Sequence, residues 1–346
     1  MHMADALISP GVGATMWAAT VATTAYCARK VREEADDRKV PLMGVLGAFV
    51  FAAQMINFTI PGTGSSGHLG GGLLLALLLG PHAAFLTIAS VLVVQALFFA
   101  DGGLLALGAN IFNLGVFPCF VAYPLVFRPL AGRDPGPGRL TWASVVAAVV
   151  GLQLGAFGVV VETVVSGITD LPFGKFVVLM QPIHLAIGIV EGLVTAAVVN
   201  FARKAEPGLL EGHAARASAG YRKLLAGLAV AALVVGGALS WFASAYPDGL
   251  EWSIAGVTGS EELEAPSEGI HGALARIQEK LSFLPDYGFK TPEGAEHEAE
   301  EEGAAWPAVD PGTSVSGVVG GVITLVVAAG IGLVLRRRSR ARAHAA

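Results

Sequence analysis

The sequence predicts an all-α integral membrane protein of about nine transmembrane helices, N-terminus outside and C-terminus cytoplasmic. Three observations carry this. The 346 residues are 54% hydrophobic and only 14% charged, with a mean hydropathy of +0.64; soluble domains carry about 25% charged residues. The apolar runs are long and continuous, as in 143–165 and 176–199, unlike the alternating segments of roughly ten residues that build a barrel. Finally, the basic residues sort to one side when the runs are counted as spans. The formal net charge of −5 averages over very unequal parts and identifies no partner.

The predicted spans are 12–28, 41–58, 69–79, 82–100, 104–127, 141–166, 175–201, 223–245 and 314–335. The first ends at Arg29 and Lys30, not at a small-residue cleavage site, so it reads as a retained helix and not a signal peptide. Its Ala14, Ala18 and Ala22 allow close helix approach. The second closes on Gln54 and Asn57, polar groups suited to orienting the loop that follows, as are Asn110 and Asn113 in the fifth.

The run 70–100 is either one long helix or two. Gly80-Pro81 argues for a break, because proline removes a hydrogen bond and disfavours helix in the residue before it. Charge decides it. With two spans, eighteen of the twenty-two Lys and Arg lie on one face, the cytoplasmic one. With one span, the clusters at 128–139 and 203–223 would lie across the membrane from 29–39. Segment 69–79 is then ~16 Å long against a hydrocarbon core of ~30 Å. Other helices must shield it, and such short helices often border a ligand site.

The sixth and seventh spans carry Gln153, Glu162, Gln181, His184 and Glu191. Polar groups at membrane depth are functional candidates, or else they hydrogen-bond helix to helix. Cys27 and Cys119 sit in apolar runs and read as buried thiols, not a disulfide. The last two spans enclose the extracytoplasmic loop 247–312, which holds fifteen of the twenty-seven acidic residues. Its Gly, Pro and Glu content predicts a mostly irregular segment with one short helix near 270–281. The chain thus divides into a seven-span unit 1–204, a basic linker 205–222, and a two-helix unit 223–346.

The chemistry concentrates at the start. Met1-His2 offers a free amine, an amide nitrogen and an imidazole that can close two fused chelate rings on one ion, a planar nitrogen set suited to Ni(II) or Cu(II). An exposed histidine at a frayed end is the bland alternative. His68, in the Gly/Ser-rich turn Pro61–His68, lies on the same face under the nine-span topology and can supply a fourth nitrogen; a solvated loop histidine is its alternative. His82 lies on the opposite side. His271 and His297, in the acidic loop, can collect ions transiently. Gly64-Ser65-Ser66-Gly67 fits the G-x-S-G pattern of intramembrane serine proteases, with His184 as a conceivable base, but the pattern is short and common. No G-x-x-x-x-G-K-[ST] or H-E-x-x-H pattern occurs, so neither a P-loop ATPase nor a zinc-protease helix is encoded.

These residues resemble a family. Met1-His2-Met3-Ala4-Asp5 with Leu7-Ile8-Ser9-Pro10 is similar to the MHIADG(F/Y)LSP opening of the CbiM/NikM proteins, the substrate-binding components of energy-coupling factor transporters for cobalt and nickel. The segments 51–58, Ser66–Gly71, Phe99–Leu104 and Leu107–Asn110 also resemble that family, over about 1–201. Pro247-Asp248-Gly249-Leu250-Glu251 resembles the PDGLE signature of a two-helix, CbiN/NikN-like domain. The chain departs from the opening pattern at Met3 and Ala6.

The resemblance implies a metal site of Met1, His2 and His68 nitrogens for transported Ni2+ or Co2+, with no permanent cofactor. It implies a multi-pass protein of the cell membrane that is not itself an enzyme. Its partners would be a transmembrane coupling (T) subunit and ATPase (A) subunits, with the lipid bilayer and no nucleic acid. The rival readings are a stand-alone secondary metal transporter or channel, and the intramembrane protease.

Overall fold

The computed structural model describes residues 2–34, 36, 38–207, 218–290 and 306–343, with side chains to 338. Each predicted span forms a helix. In chain order these are α1 (Pro10–Glu34), α2 (Lys39–Gln54), the strands β1 (Phe58–Ile60) and β2 (Ser65–Gly67), α3 (Gly72–Leu79), α4 (Pro81–Phe98), α5 (Leu107–Ala131), α6 (Pro137–Ser166), α7 (Phe173–Ala205) and α8 (Ala219–Gly237). The acidic loop adds α9 (Gly249–Thr258) and α10 (Gly269–Leu281), and α11 (Pro311–Ala343) closes the chain.

Six of these helices are both long and apolar enough to cross a membrane: α4, α5, α6, α7, α8 and α11. The expected nine therefore divides. α1 has the length, but its first half mixes Ala and Thr and its last turns carry Arg29, Lys30 and Arg32. α2 is apolar but has only 16 residues, and α3 has 8. All eight α3 residues are buried, as a helix too short for the bilayer requires. The break between α3 and α4 falls at Gly80, whose φ of 78° turns the chain, and Pro81 then starts α4 at the position where its missing N–H costs nothing. Within α5, residues Phe112–Phe127 wind in wider π turns around Pro118 and Pro124, which cannot donate in an α ladder.

α6 and α7 form the most extensive helix pair, tied by Gln153 Nε2 donating to the Gln181 carbonyl at 2.7 Å. The outer face of α7 exposes Val178, Leu185, Ile189 and Leu193, a surface suited to lipid. α8 and α11 pack onto α2, and glycines bring α11 close to both α8 and α2. A Cβ on Gly317 would lie 2.1 Å from the Gly236 carbonyl oxygen, and one on Gly44 would lie 3.0 Å from that of Leu325, so small residues set the closeness of these crossings.

The loop after α2 is more ordered than the predicted turn. β1 and β2 pair antiparallel in the register Phe58↔Gly67, Thr59↔Ser66 and Ile60↔Ser65. Gly62 and Gly64 supply positive φ between them. In the acidic loop, α10 matches the expected helix, and α9 is additional. Asp248 and Glu251 form a reciprocal capping box at its start, which satisfies the orphan N–H groups of its first turn.

Candidate metal site

The N-terminal segment folds into the protein instead of fraying from it. Met3 is fully buried. Its N–H donates to Asn110 Oδ1 at 2.8 Å, and its carbonyl accepts from Asn110 Nδ2 at 3.2 Å and from the Gly103 N–H at 2.9 Å. Asp5 accepts the Ala106 N–H at 2.9 Å, and burial raises its carboxyl above the usual range. A Cβ on Gly103 would stand 1.9 Å from Asp5 Oδ1, so glycine there lets the N-terminus seat.

That seat brings His2 against His68. The two rings stack with centroids 4.9 Å apart and planes 15° apart, and each side chain is only 8% exposed. Met1, the third expected ligand, lies outside the described residues. His2 Nδ1 contacts Asp101 Oδ1 at 2.8 Å, while its buried Nε2 has no hydrogen-bond partner among the described residues. Burial opposes ionisation of Asp101, but the His2 ring, by charge and hydrogen bond, and the Tyr287 hydroxyl outweigh it and hold the carboxyl below the usual range.

The β1–β2 hairpin positions His68 from below. Gln54 Nε2 donates to the Gly70 carbonyl at 2.9 Å, as expected for a loop-orienting group. Glu191 of α7 accepts the Gly70 and Gly71 N–H groups at 2.8 and 3.1 Å, placing a carboxylate at the α3 N-terminus, where such charge is favoured. Asn110 and Asn113 do not touch this loop: Asn110 holds Met3 and Asn113 donates to Glu162. His68 Nδ1 lies 3.1 Å from the Leu69 carbonyl, which fixes the tautomer and leaves Nε2 with a lone pair. Burial foremost pushes the ring's pKa down to about 3, so it is neutral and competent to ligate at ordinary pH.

Both histidines border a cavity of about 500 Å³ that Asp101, Asp248, Glu251 and Tyr287 also line. Burial, then repulsion from Asp248, pushes Glu251 up to about 7. A second cavity, of about 10 Å³, is bordered by His68, His184, Asp248 and Gly249. His184 Nδ1 pairs with the Met180 carbonyl at 2.8 Å, and its Nε2 is buried without a hydrogen-bond partner among the described residues. Among the described residues no three His, Cys, Asp or Glu side chains converge to hold an ion. A set built from backbone and imidazole nitrogens is not of that kind.

The other candidates go elsewhere. His271 is buried with Nε2 against the Ile8 carbonyl at 2.9 Å, which ties α10 to the N-terminal segment. His82 pairs with Glu34, and His297 lies outside the described residues. Ser66 of the protease-like pattern donates to the Tyr246 carbonyl at 2.8 Å, a structural tie.

Residues 2–209 match the family described as the cobalt uptake substrate-specific transmembrane region, and residues 222–337 match the PDGLE domain. The chain is 32% identical to the putative fused nickel transport protein NikMN of Archaeoglobus fulgidus, over 98% of this chain and 99% of that protein. It is 33% identical to the fused nickel transport protein NikMN of Rhodobacter capsulatus, over 83% and 88% of the two chains. A crystal structure of a truncated transition metal transporter superposes with a TM-score of 0.51 at 32% identity, covering 62% of this chain and all of that one.

Proposed function

The chain belongs to the cobalt uptake substrate-specific transmembrane family of nickel and cobalt transport proteins, and from that premise we propose that it is the ion-capturing subunit of an energy-coupling factor importer. The ion is Ni2+ or Co2+, taken up from outside by nitrogens of Met1, His2 and His68. The observation that carries this reading is the stacking of His2 on His68 at 4.9 Å. Sixty-five residues separate them, and the protein secures each by its own buried hydrogen bonds.

The ion loses water to the nitrogens. Binding releases protons, because the amine must be neutral and a metallated amide must lose its hydrogen. The Glu251-lined cavity is the entry, and its carboxylates concentrate cations there. Transport needs a coupling subunit and ATPase subunits. The basic sequence segments 29–39 and 203–223 are the candidate contacts for them, and the unit 223–346 modulates loading.

Reconstitution tests this function. Vesicles holding the chain alone should bind ions without accumulating them, and accumulation should appear only with the ATPase and coupling subunits and ATP. Accumulation by the chain alone would make it a secondary transporter instead.

A further inference from the structure

We propose that α10 lies flat on the membrane surface, its apolar stripe in the lipid and its flanking Arg276 and Lys280 on anionic phospholipid headgroups. The proposal is independent of the metal site and rests only on the chain's being a membrane protein.

Ile270, Leu274, Ile277 and Leu281 of α10 are spaced i, i+4, i+7 and i+11. At about 100° per residue they fall within about 60° of one another on the helix surface. That stripe is turned outward: Ile270, Ile277 and Leu281 are 45%, 48% and 42% exposed. Phe283 and Phe289 continue it beyond the helix, also exposed. A contiguous apolar patch of this kind marks a contact surface.

The helix is docked by its flank. His271 Nε2 meets the Ile8 carbonyl at 2.9 Å, and Gln278 Nε2 donates to the Ala96 and Gly102 carbonyls at 2.9 and 2.7 Å. These two residues sit roughly 70–90° round from the stripe, Arg276 and Lys280 roughly 90–130° round the other way, and Glu279 about opposite it. An interfacial helix at the edge of a membrane protein has this order: protein on one side, lipid beneath, cations on the outer flank and acid above.

Both ends of the segment fix its level. Phe283 packs beside Phe98, the last residue of α4, with ring centroids 5.6 Å apart. The Leu284 N–H donates to the Phe98 carbonyl at 3.3 Å. Phe289 reaches the start of α11, where a Cβ on Gly312 would lie 3.1 Å from the Phe289 nitrogen. Lys290 Nζ then returns to the Glu279 carbonyl of α10 at 3.0 Å. α4 and α11 are both long and apolar enough to cross the membrane, so α10 lies where one span ends and another begins.

Charge selects the lipid. Segment 247–312 holds fifteen acidic residues and only three basic ones, Arg276, Lys280 and Lys290. All three are on α10 or just beyond it, and all are exposed. A basic cluster beside an apolar stripe, set in an acidic loop, fits anionic headgroups.

The test places a nitroxide label on Ile277→Cys or Glu279→Cys, with the chain in bilayers of phosphatidylcholine alone or mixed with phosphatidylglycerol. Cys27 and Cys119 are buried, and labelling of the unsubstituted chain measures any background. Collisions with lipid-soluble oxygen, relative to aqueous chromium oxalate, should be several-fold more frequent at 277 than at 279 in the mixed bilayers. The difference should shrink in phosphatidylcholine alone and in the double variant Arg276→Gln/Lys280→Gln. A label at 277 as aqueous as that at 279 would overturn the proposal. So would spin–spin broadening at 277, which would make the occupant a second copy of the chain. Immersion that ignores both phosphatidylglycerol and the double substitution would overturn the stripe as an anionic-lipid surface.

Discussion

His2 Nδ1 and Asp101 Oδ1 stand 2.8 Å apart, and the same carboxylate takes the Tyr287 hydroxyl. Nδ1 is the ring nitrogen that closes a chelate ring with its own backbone amide. An ion arriving there must displace Asp101, which leaves the carboxylate to Tyr287. Nickel loading should therefore change the near-ultraviolet absorbance of the protein. The change should vanish in Asp101→Ala and in Tyr287→Phe. An unaltered change in both variants would show that the metal does not act through this pair.

Glu191 supports the His68 loop from beneath. Glu191→Leu leaves the Gly70 and Gly71 N–H groups buried without an acceptor, which costs about 1–3 kcal/mol for each group. Thermal unfolding in detergent should show a clear loss for Leu and a smaller one for Gln, which keeps one acceptor oxygen. Metal affinity should fall in the same order.

Gly103→Ala sets a Cβ against Asp5, 2.4 Å from its backbone nitrogen as well as 1.9 Å from Oδ1. The N-terminal segment cannot seat around that atom. Nickel affinity should drop by about 10–100-fold, the usual effect of losing a group that orients ligands, with helix content by circular dichroism unchanged. Gly174→Ala, where nothing lies within 4 Å, should match wild type.

The buried His68 ring makes stability depend on pH. Its folded pKa of about 3 lies below the ordinary 6.5, so the unfolded chain binds one more proton between those values. Stability is therefore greatest above pH 6.5 and falls as pH drops toward 3, with a limiting slope of about 1.4 kcal/mol per pH unit. Metal-free wild type should lose more melting temperature between pH 7 and 4.5 than His68→Gln. Equal losses would mean that the ring is solvated.

The helices were readable because each is a local apolar run, and the α3–α4 break because Gly80-Pro81 is local too. α9 was missed despite a readable signal, the Asp248-x-x-Glu251 capping box. α1 runs on to Glu34 because Arg29 and Lys30 pair with Glu33 along its last turns, which a hydropathy boundary at 28 cannot register. The loop before His68 reads as a Gly/Ser turn, yet six of its residues pair as strands, since pairing depends on partners across the turn.

In the candidate site, His2 is legible from the chelate chemistry of the chain start and His68 from its Gly/Ser turn and the span topology, and the family resemblance then matches both. Asp101 and Asp248 are not legible, although both sit in quoted segments. Their histidine partners, His2 and His68, are 99 and 180 residues away, and no local spacing encodes such contacts. Glu191 was recognised as a buried carboxylate, but only the fold supplies the two glycine amides that explain it.

The most direct test is a Ni(II) titration of the purified chain, made to begin at Met1 and with one residue added before Met1, beside His2→Ala and His68→Ala. The account predicts one ion bound per native chain with release of protons, and loss of that binding in all three altered chains. Equal binding by the extended chain and by both histidine variants would contradict capture through the N-terminal nitrogens.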